Sequence, residues 1–277
     1  MTPRLRDVLA HLTSLLTQAG IETAARDARA IVGAVLRIPT DRLTLMLDEP
    51  VDQTSRVRAE ALANRRQARE PLSHLTGSRL FYNHSFSVSP AVLDPRPETE
   101  CLVRAALERS FRHVLDLGTG SGCILLSLLA ARPGSSGIGT DLSPEALEVA
   151  ATNAAMLGIE PRAMFLQSDW FAEVEGRFDL IVSNPPYIAA KEMDALEPEL
   201  EYEPRLALTD GEDGLSAYRA IIPQARGFLL SQGRLMVEVG WQQGPCVARM
   251  FEDAGYRRVD IRSDLDGRDR IVEASLD

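Results

Sequence analysis

Four consecutive residues, Asn184, Pro185, Pro186 and Tyr187, follow a short apolar run in the second half of the chain. The run, residues 178–183, has the composition of a buried β-strand, and two adjacent prolines cannot continue a strand. In open α/β sheets, ligands bind just outside the carboxyl ends of the strands. The four residues are therefore expected where such proteins usually carry out their chemistry.

These residue types suit the recognition of a planar amino group. The Asn184 side-chain oxygen and the Pro185 carbonyl are two acceptors that can converge on one NH2 group, and Tyr187 offers an aromatic face for a flat amide or base. Holding both N–H bonds aims the nitrogen lone pair at an electrophile, which matters because an amide nitrogen is a poor nucleophile. The alternative interpretation is a turn in which Asn and Pro serve only the backbone.

A glycine-rich turn is predicted between a strand at residues 114–117 and a helix at residues 123–131. The turn comprises Gly118, Thr119, Gly120, Ser121 and Gly122. Its G-x-G-x-G spacing differs from the dinucleotide pattern G-x-G-x-x-G, and its glycines let the backbone approach a ligand closely. Asp116 stands just before the turn, where a carboxylate would repel a pyrophosphate but suit a cationic sulfonium ligand with an amino group. A tight strand-to-helix turn without a ligand is the alternative.

Two further strand ends carry acidic or aromatic residues. Asp141 ends the next predicted strand and could accept both ribose hydroxyls of an adenosine-containing ligand, or could cap the following helix. Asp169 and Trp170 follow the third strand, where Asp169 could accept from an adenine amino group and Trp170 could cover the adenine face, although a tryptophan is often simply part of a core. All four loops are expected on one rim of the sheet.

The bulk properties indicate an ordinary globular protein. The chain has 277 residues and a formal net charge of −10, which weighs against general binding to nucleic-acid phosphates. Its three cysteines are far apart and lack metal-ligand spacing, which favours free thiols in a reducing compartment and no metal site. Because no apolar segment is long enough to span a bilayer, we expect a cytoplasmic protein without a membrane contact.

Three regions are predicted along the chain. Residues 1–70 have the apolar periodicity of a small helical bundle, for which a role in docking a partner is open. Residues 71–97 are expected to form a β-hairpin and a linker stiffened by prolines. Residues 98–277 alternate strands and helices, with one apolar strand predicted at residues 233–239. The predicted fold class is α/β: a doubly wound, mostly parallel Rossmann-like sheet with an amino-terminal helical domain.

Taken together, the four strand-end motifs resemble the class I S-adenosylmethionine-dependent methyltransferases that modify planar amino groups. Three further segments resemble the release factor glutamine methyltransferase family in particular. They are residues 70–77 (Glu-Pro-Leu-Ser-His-Leu-Thr-Gly), residues 95–100 (Pro-Arg-Pro-Glu-Thr-Glu) and residues 203–208 (Glu-Pro-Arg-Leu-Ala-Leu). The resemblance covers residues 70–277 strongly, and the amino-terminal bundle in general layout. Asp94 departs from it, because an apolar residue is expected there.

The resemblance implies methyl transfer from S-adenosyl-L-methionine, with S-adenosyl-L-homocysteine as product, to the glutamine amide nitrogen in the Gly-Gly-Gln motif of peptide-chain release factors. It implies a cofactor site in which residues 118–122 hold the methionine part, Asp141 the ribose, and Asp169 with Trp170 the adenine. Residues 184–187 would hold the glutamine amide, and the helical bundle with the hairpin would dock the release factor. Within residues 184–187, Asn184, Pro185 and Tyr187 would be catalytic, and Asn184 would also face the cofactor.

Other functions stay open at this point. A nucleic-acid amino methyltransferase, acting on DNA adenine or ribosomal RNA, would share the cofactor site but should add a basic recognition module. A nicotinamide-dependent oxidoreductase or a catalytically silent binding protein fits the glycine spacing less well. We expect a monomer that does not bind nucleic acid directly. The acidic residues between 188 and 214 are interpreted as a solvated loop, with selection of a basic protein loop as a hypothesis.

Overall fold

The computed structural model describes residues 2–264 and 266–276, which group into two compact units. The helical unit extends to Ser78 and also includes Glu197–Tyr202. The sheet unit comprises Arg79–Leu196 and the chain from Glu203 onward. The chain therefore leaves the sheet unit for six residues and then returns to it.

The helical unit contains four α-helices around their own apolar core. Helices α1 to α4 span Leu5–Gln18, Ala24–Leu36, Gln53–Gln67 and Leu72–Thr76. The apolar residues of α1 recur every three or four positions, and Leu5, Leu12 and Leu16 are buried. Asp52 begins α3 as its N-cap and accepts a hydrogen bond from the Ser55 amide at 2.9 Å.

The basic residues at the end of α3 pair with acids of the same unit. Arg66 is buried, and its Nε lies 2.9 Å from Asp27 Oδ2. Its Nη1 lies 3.0 Å from Glu199 Oε1, and Arg69 lies 3.5 Å from the same carboxylate. Residues 197–202 are therefore held to the helical unit by charge pairing at Glu199.

The sheet unit opens with a short hairpin and then builds one large sheet. The hairpin strands β1 and β2 span Ser78–Phe81 and His84–Ser87. Strands β3 to β9 span His113–Leu117, Ser136–Asp141, Ala163–Gln167, Phe178–Ser183, Leu229–Glu238, Arg257–Ser263 and Asp269–Ser275. Their order is β5-β4-β3-β6-β7-β9-β8, with β9 antiparallel to both neighbours and the other pairs parallel. The predicted mostly parallel sheet is confirmed.

Helices cover both faces of this sheet. Helices α5 to α10 span Glu100–Leu107, Cys123–Ala131, Pro144–Leu157, Arg205–Leu208, Ser216–Phe228 and Gly244–Asp253. Successive residues of β3 face opposite sides: Val114 packs in the core that includes residues of α5 and α6, and Leu115 in the core that includes residues of α9 and α10. The strand is thus buried on both faces, as is usual for a strand inside a parallel sheet covered by helices.

Strand β7 begins four residues before its predicted start at Gly233. Leu229 already pairs with Phe178, and a register shift then separates this pair from the next one, Leu180 with Arg234. The periodicity of the sequence does not reveal this early pairing, because Ser231, Gln232 and Gly233 interrupt the apolar pattern.

The strand order determines where in the sheet unit a ligand can bind. From β3 the chain moves outward through β4 to β5, and then crosses to β6 on the opposite side of β3. The crevice at this reversal is where open α/β sheets bind ligands. The glycine-rich turn follows β3 and residues 184–187 follow β6, so the topology brings the two strongest motifs to one edge. The Ser183 hydroxyl donates to the Leu117 carbonyl at 2.8 Å and joins the two strand ends.

Candidate active site

A cavity of about 550 Å³ lies at the carboxyl ends of β3 to β6 in the sheet unit. Nine predicted site residues line it: Gly118, Thr119, Gly120, Ser121, Asp141, Asp169, Trp170, Asn184 and Pro186. Within the described part of the chain, Gly122, Pro185 and Tyr187 are not among its lining residues. The structure therefore brings the four motifs together around one space.

All three glycines of the turn need left-handed backbone angles. Their φ angles are +68° at Gly118, +54° at Gly120 and +78° at Gly122. A Cβ at Gly122 would approach Leu126 and Ala150 at 3.1 and 3.2 Å, whereas a Cβ at Gly120 would meet no atom within 4 Å. Gly122 thus permits close helix packing, while Gly120 leaves open space beside the cavity.

Asp116 lies beneath the glycine turn and does not line the cavity. It is fully buried, and its Oδ2 accepts from the Thr119 hydroxyl at 2.7 Å and from the Leu125 amide at 3.3 Å. Burial raises the pKa of Asp116 to about 7, although both hydrogen bonds oppose that shift. The alternation of β3 directs Asp116 to the same side as Val114, and its effect on a cationic ligand stays a prediction.

Asp141 organises the backbone at the rim. Its Oδ2 accepts from the Gly120 amide at 2.9 Å, and its Oδ1 accepts from the Ser143 amide at 3.0 Å. The Ser143 hydroxyl in turn accepts from the Ala146 amide at 3.1 Å and caps α7. Asp141 therefore holds the backbone of both neighbouring loops in place, and each of its carboxylate oxygens retains a second lone pair for a ligand.

Trp170 adopts a strained backbone angle at the cavity wall. Its φ is +50°, unusual for a residue with a bulky side chain, and its carbonyl accepts from the Ser168 hydroxyl at 3.0 Å. A Cβ placed on Gly118 would lie 3.9 Å from the Trp170 ring. The indole thus lies against the glycine turn, next to the exposed Asp169.

Asn184 has one end of its amide bound and the other free. Its Nδ2 donates to the Thr99 hydroxyl at 3.2 Å. Its Oδ1 is buried and has no hydrogen-bond partner among the described residues. A buried acceptor without a partner is costly, so this oxygen is suited to receive a donor from a ligand.

Tyr187 is held from behind the cavity wall. Its hydroxyl donates to Glu238 Oε1 at 3.4 Å, and burial raises its pKa, so that the phenol stays neutral. Its carbonyl accepts from Gln243 Nε2 at 2.9 Å, and the same nitrogen lies 3.3 Å from the Gly214 carbonyl. A Cβ on Gly214 would collide with the Tyr187 carbonyl, so the two loops pack closely because residue 214 is glycine.

Glu238 is a buried carboxyl that the motifs alone did not indicate. It ends β7 and is 1% exposed. Burial raises its pKa to about 7, while interactions with the Thr99 hydroxyl, Arg270 and the Tyr187 hydroxyl lower it. A lone acid inside the apolar stretch from residue 235 to 239 is the sequence signal that could have revealed it.

Two of the segments quoted for the family resemblance meet beside the cavity. Arg96 lies 2.5 Å from the buried carboxylate of Glu203, which also accepts from the Asp94 amide at 3.3 Å. The Asp94 carboxylate itself is buried and lies 3.5 Å from the guanidinium of Arg79. The unexpected acid at position 94 thus has a cationic partner of its own.

The acidic stretch after Tyr187 is only partly solvated. Glu192, Asp194, Glu197 and Glu201 are exposed. Glu203, in contrast, is buried in the sheet unit, and Glu199 pairs within the helical unit. Selection of a basic protein loop by the exposed members stays a hypothesis.

Comparison with known proteins identifies two family matches. Residues 7–77 match the PrmC N-terminal domain, and residues 84–200 match the methyltransferase small domain. A protein of Cereibacter sphaeroides called release factor glutamine methyltransferase is 52% identical over 274 residues, which is 99% of each chain. A Rhodospirillum rubrum protein of the same name is 45% identical over 94% of this chain and 81% of its own.

Solved structures support the fold. A methyltransferase from Pyrococcus furiosus superposes with a TM-score of 0.57 at 17% identity, covering 77% of this chain and 98% of its own. At that identity the likeness bears on the fold alone. No helix among the residues described is long and apolar enough to cross a membrane.

Proposed function

This chain belongs to the release factor glutamine methyltransferase family, and we propose that it methylates the side-chain amide nitrogen of a glutamine in peptide-chain release factors. The methyl donor would be S-adenosyl-L-methionine, and the target the glutamine of a Gly-Gly-Gln motif. The observation that carries this proposal is the unpartnered Oδ1 of Asn184 at the cavity that the glycine turn also lines. The methylation of release factors would take place in the cytoplasm.

The cavity residues fit an adenosine nucleoside with a charged amino-acid part. The open side of Gly120 offers room and backbone for the methionine portion. Asp141 has spare lone pairs for ribose hydroxyls, and Trp170 with Asp169 offers a ring face and an acceptor for adenine. S-adenosyl-L-methionine, when bound, supplies a methyl group made electrophilic by the sulfonium.

The substrate glutamine would be held by Asn184 and Pro185. The Asn184 Oδ1 and the Pro185 carbonyl accept the two N–H bonds of the amide, and the Tyr187 ring supports its plane. The lone pair of the nitrogen is then directed along the axis of displacement. Since Tyr187 is fixed by Glu238 and Gln243, little reorganisation is needed when the substrate enters.

Methyl transfer then needs alignment and the exclusion of water. The glutamine nitrogen forms a bond to the methyl carbon, the carbon–sulfur bond breaks with its electron pair on sulfur, and one N–H proton leaves to solvent. Positive charge is dispersed in the displacement, so the protein need not supply a strong base. The buried positions of Pro185 and Ser183 keep the end of β6 rigid during this step.

The direct test uses methyl-labelled S-adenosyl-L-methionine with a release factor. Parallel samples contain a Gln→Ala release factor, DNA or RNA. Label should appear on the intact factor, disappear with Gln→Ala, and disappear with the Asn184→Ala enzyme. Gln224→Ala, which removes an exposed amide on α9, is the control and should retain activity. Label on nucleic acid alone would overturn the proposed substrate.

A further inference from the structure

The amide of Asn184 has two ends of nearly equal size and opposite hydrogen-bonding character. The proposed function requires the acceptor end to face the substrate, because the NH2 end would meet another NH2 group. We infer that Thr99, together with the buried carboxylate of Glu238, is a positioning residue that keeps Oδ1 of Asn184 turned toward the substrate. This inference rests on the proposed function, since it concerns how Asn184 carries it out.

Thr99 provides the contact that distinguishes the two ends. It closes the short 3-10 helix Pro97–Thr99 and is 2% exposed. Its Oγ1 accepts from Asn184 Nδ2 at 3.2 Å, a contact between residues 85 positions apart in the chain. An acceptor at this place stabilises only the orientation of the amide in which nitrogen faces Thr99.

A threonine hydroxyl alone does not define that orientation, because it can donate as well as accept. Glu238 removes the ambiguity. Its carboxyl interacts with the Thr99 hydroxyl, and when ionised it is an acceptor only. The single proton of Thr99 is then directed at Glu238, so that Oγ1 can only accept from Asn184.

Tyr187 reinforces the same direction. Its hydroxyl donates to Glu238 Oε1, while Glu238 Oε2 is buried and has no hydrogen-bond partner among the described residues. Both neighbouring hydroxyls thus face a carboxylate that cannot donate to them. In this network Asn184 donates to Thr99, and Thr99 donates toward Glu238, so the Asn184 oxygen is left free.

The kinetic test replaces the hydroxyl of Thr99 by a methyl group of the same shape. Thr99→Val should lower kcat on a release factor by about 10- to 100-fold, with KM changed by less than about three-fold. Thr99→Ser, which restores the hydroxyl, should recover most of the loss. Thr140→Val is the matched control, because Thr140 is buried and its hydroxyl has no partner among the described residues.

A second measurement reports the hydrogen bond without catalysis. The chain has four asparagines, Asn64, Asn83, Asn153 and Asn184, so asparagine-selective 15N labelling gives four side-chain NH2 pairs in NMR spectra. The Asn184 pair, assigned by its absence in Asn184→Asp, should shift and lose protection from hydrogen exchange in Thr99→Val. Thr99→Ser should restore it, and Thr140→Val should leave it unchanged.

The outcomes separate the inference from the proposed function. A wild-type chain that transfers no methyl group refutes the proposed function, while the NMR pairs still decide whether Thr99 holds Asn184. Turnover in Thr99→Val within about two-fold of Thr140→Val would overturn the inference even if wild type is active. An unchanged Asn184 pair in Thr99→Val would overturn it as well.

Discussion

The two halves of the cavity each rest on one buried carboxyl, Asp116 below the glycine turn and Glu238 behind Asn184 and Tyr187. Burial raises the pKa of both to about 7. Asp116 binds the Thr119 hydroxyl and the Leu125 backbone amide, so it fixes a loop to the start of a helix. Glu238 accepts from the Tyr187 hydroxyl and interacts with the Thr99 hydroxyl, so it fixes the direction of hydrogen bonds. Asp116 thus maintains the shape of the glycine turn, and Glu238 maintains the donor and acceptor roles of the side chains around Asn184.

Glu238→Gln should produce the largest effect, because the new amide can donate to Thr99 and remove the fixed polarity. Turnover should fall about 100-fold, while affinity for S-adenosyl-L-homocysteine changes by less than about three-fold. Asp116→Asn, an equivalent change below the other half, should lower turnover far less. Steady-state kinetics and calorimetric binding measure both quantities.

The double variant Thr99→Val with Glu238→Gln sharpens this prediction. If both residues act through Asn184, their effects are not independent, and the double variant should be about as slow as the slower single variant. Multiplying effects would mean that Glu238 acts by a separate route.

The rate should depend on pH through Glu238. Its carboxyl is ionised above about pH 7 and protonated below, and only the ionised form is purely an acceptor. Turnover should therefore fall as pH decreases below 7, by up to about ten-fold per pH unit. The charged or titratable groups that interact with Glu238 among the described residues include Arg270, Tyr187, Tyr218, Glu98 and Cys123.

Variants identify the group responsible for this acid limb. Glu238→Gln should abolish it, and Asp116→Asn should retain it. If the acid limb persists in Glu238→Gln and vanishes in Asp116→Asn, the pH dependence belongs to Asp116 and the assignment to Glu238 is refuted.

Asp116→Ala should mainly weaken the cofactor half. It leaves the Thr119 hydroxyl and the Leu125 amide without their buried acceptor, at about 1–3 kcal/mol per group. Affinity for S-adenosyl-L-homocysteine should fall about ten-fold by calorimetry. Ser127→Ala is the control. Ser127 lies on α6, the helix that carries Leu125, and its hydroxyl is buried without a partner among the described residues. Equal losses in both variants would contradict a specific role for Asp116.

The last prediction concerns stability. Because folding raises the pKa of Asp116 from 3.8 to about 7, the folded state binds more protons than the unfolded state between these values. The contribution to stability is full below pH 3.8 and is lost as pH rises toward 7. Thermal unfolding of Asp116→Asn should show a flatter dependence of Tm on pH across this window than wild type. An unchanged slope would mean that Asp116 is not the group responsible.

Features that depend on local sequence were predictable. The apolar strand and the double proline gave β6 and its end, and the glycine spacing gave the turn after β3. The alternation of strands with helices predicted a doubly wound, mostly parallel sheet and placed both motifs at one edge. Local patterns determine these features because each is complete within about ten residues.

Features that depend on long-range pairing were not predictable. Thr99, Asn184 and Glu238 belong to three separate elements, and only the folded sheet brings them together. The hydrogen bonds of Asp116 beneath the turn were not predictable for a related reason: the sequence shows that it precedes the turn, but its side-chain direction depends on which face α6 covers. The roles of the cavity residues toward a ligand stay predictions.

The two buried carboxyls also affect the bulk charge of the protein. A formal charge of −10 counts both acids as ionised, yet with pKa values raised to about 7 both are partly protonated at neutral pH, so the net charge is less negative than the formal one. Electrophoretic mobility should register that difference. In a chain with four histidines, part of the buffering near neutrality comes from carboxylic acids hidden from solvent, and unfolding near pH 7 releases their protons.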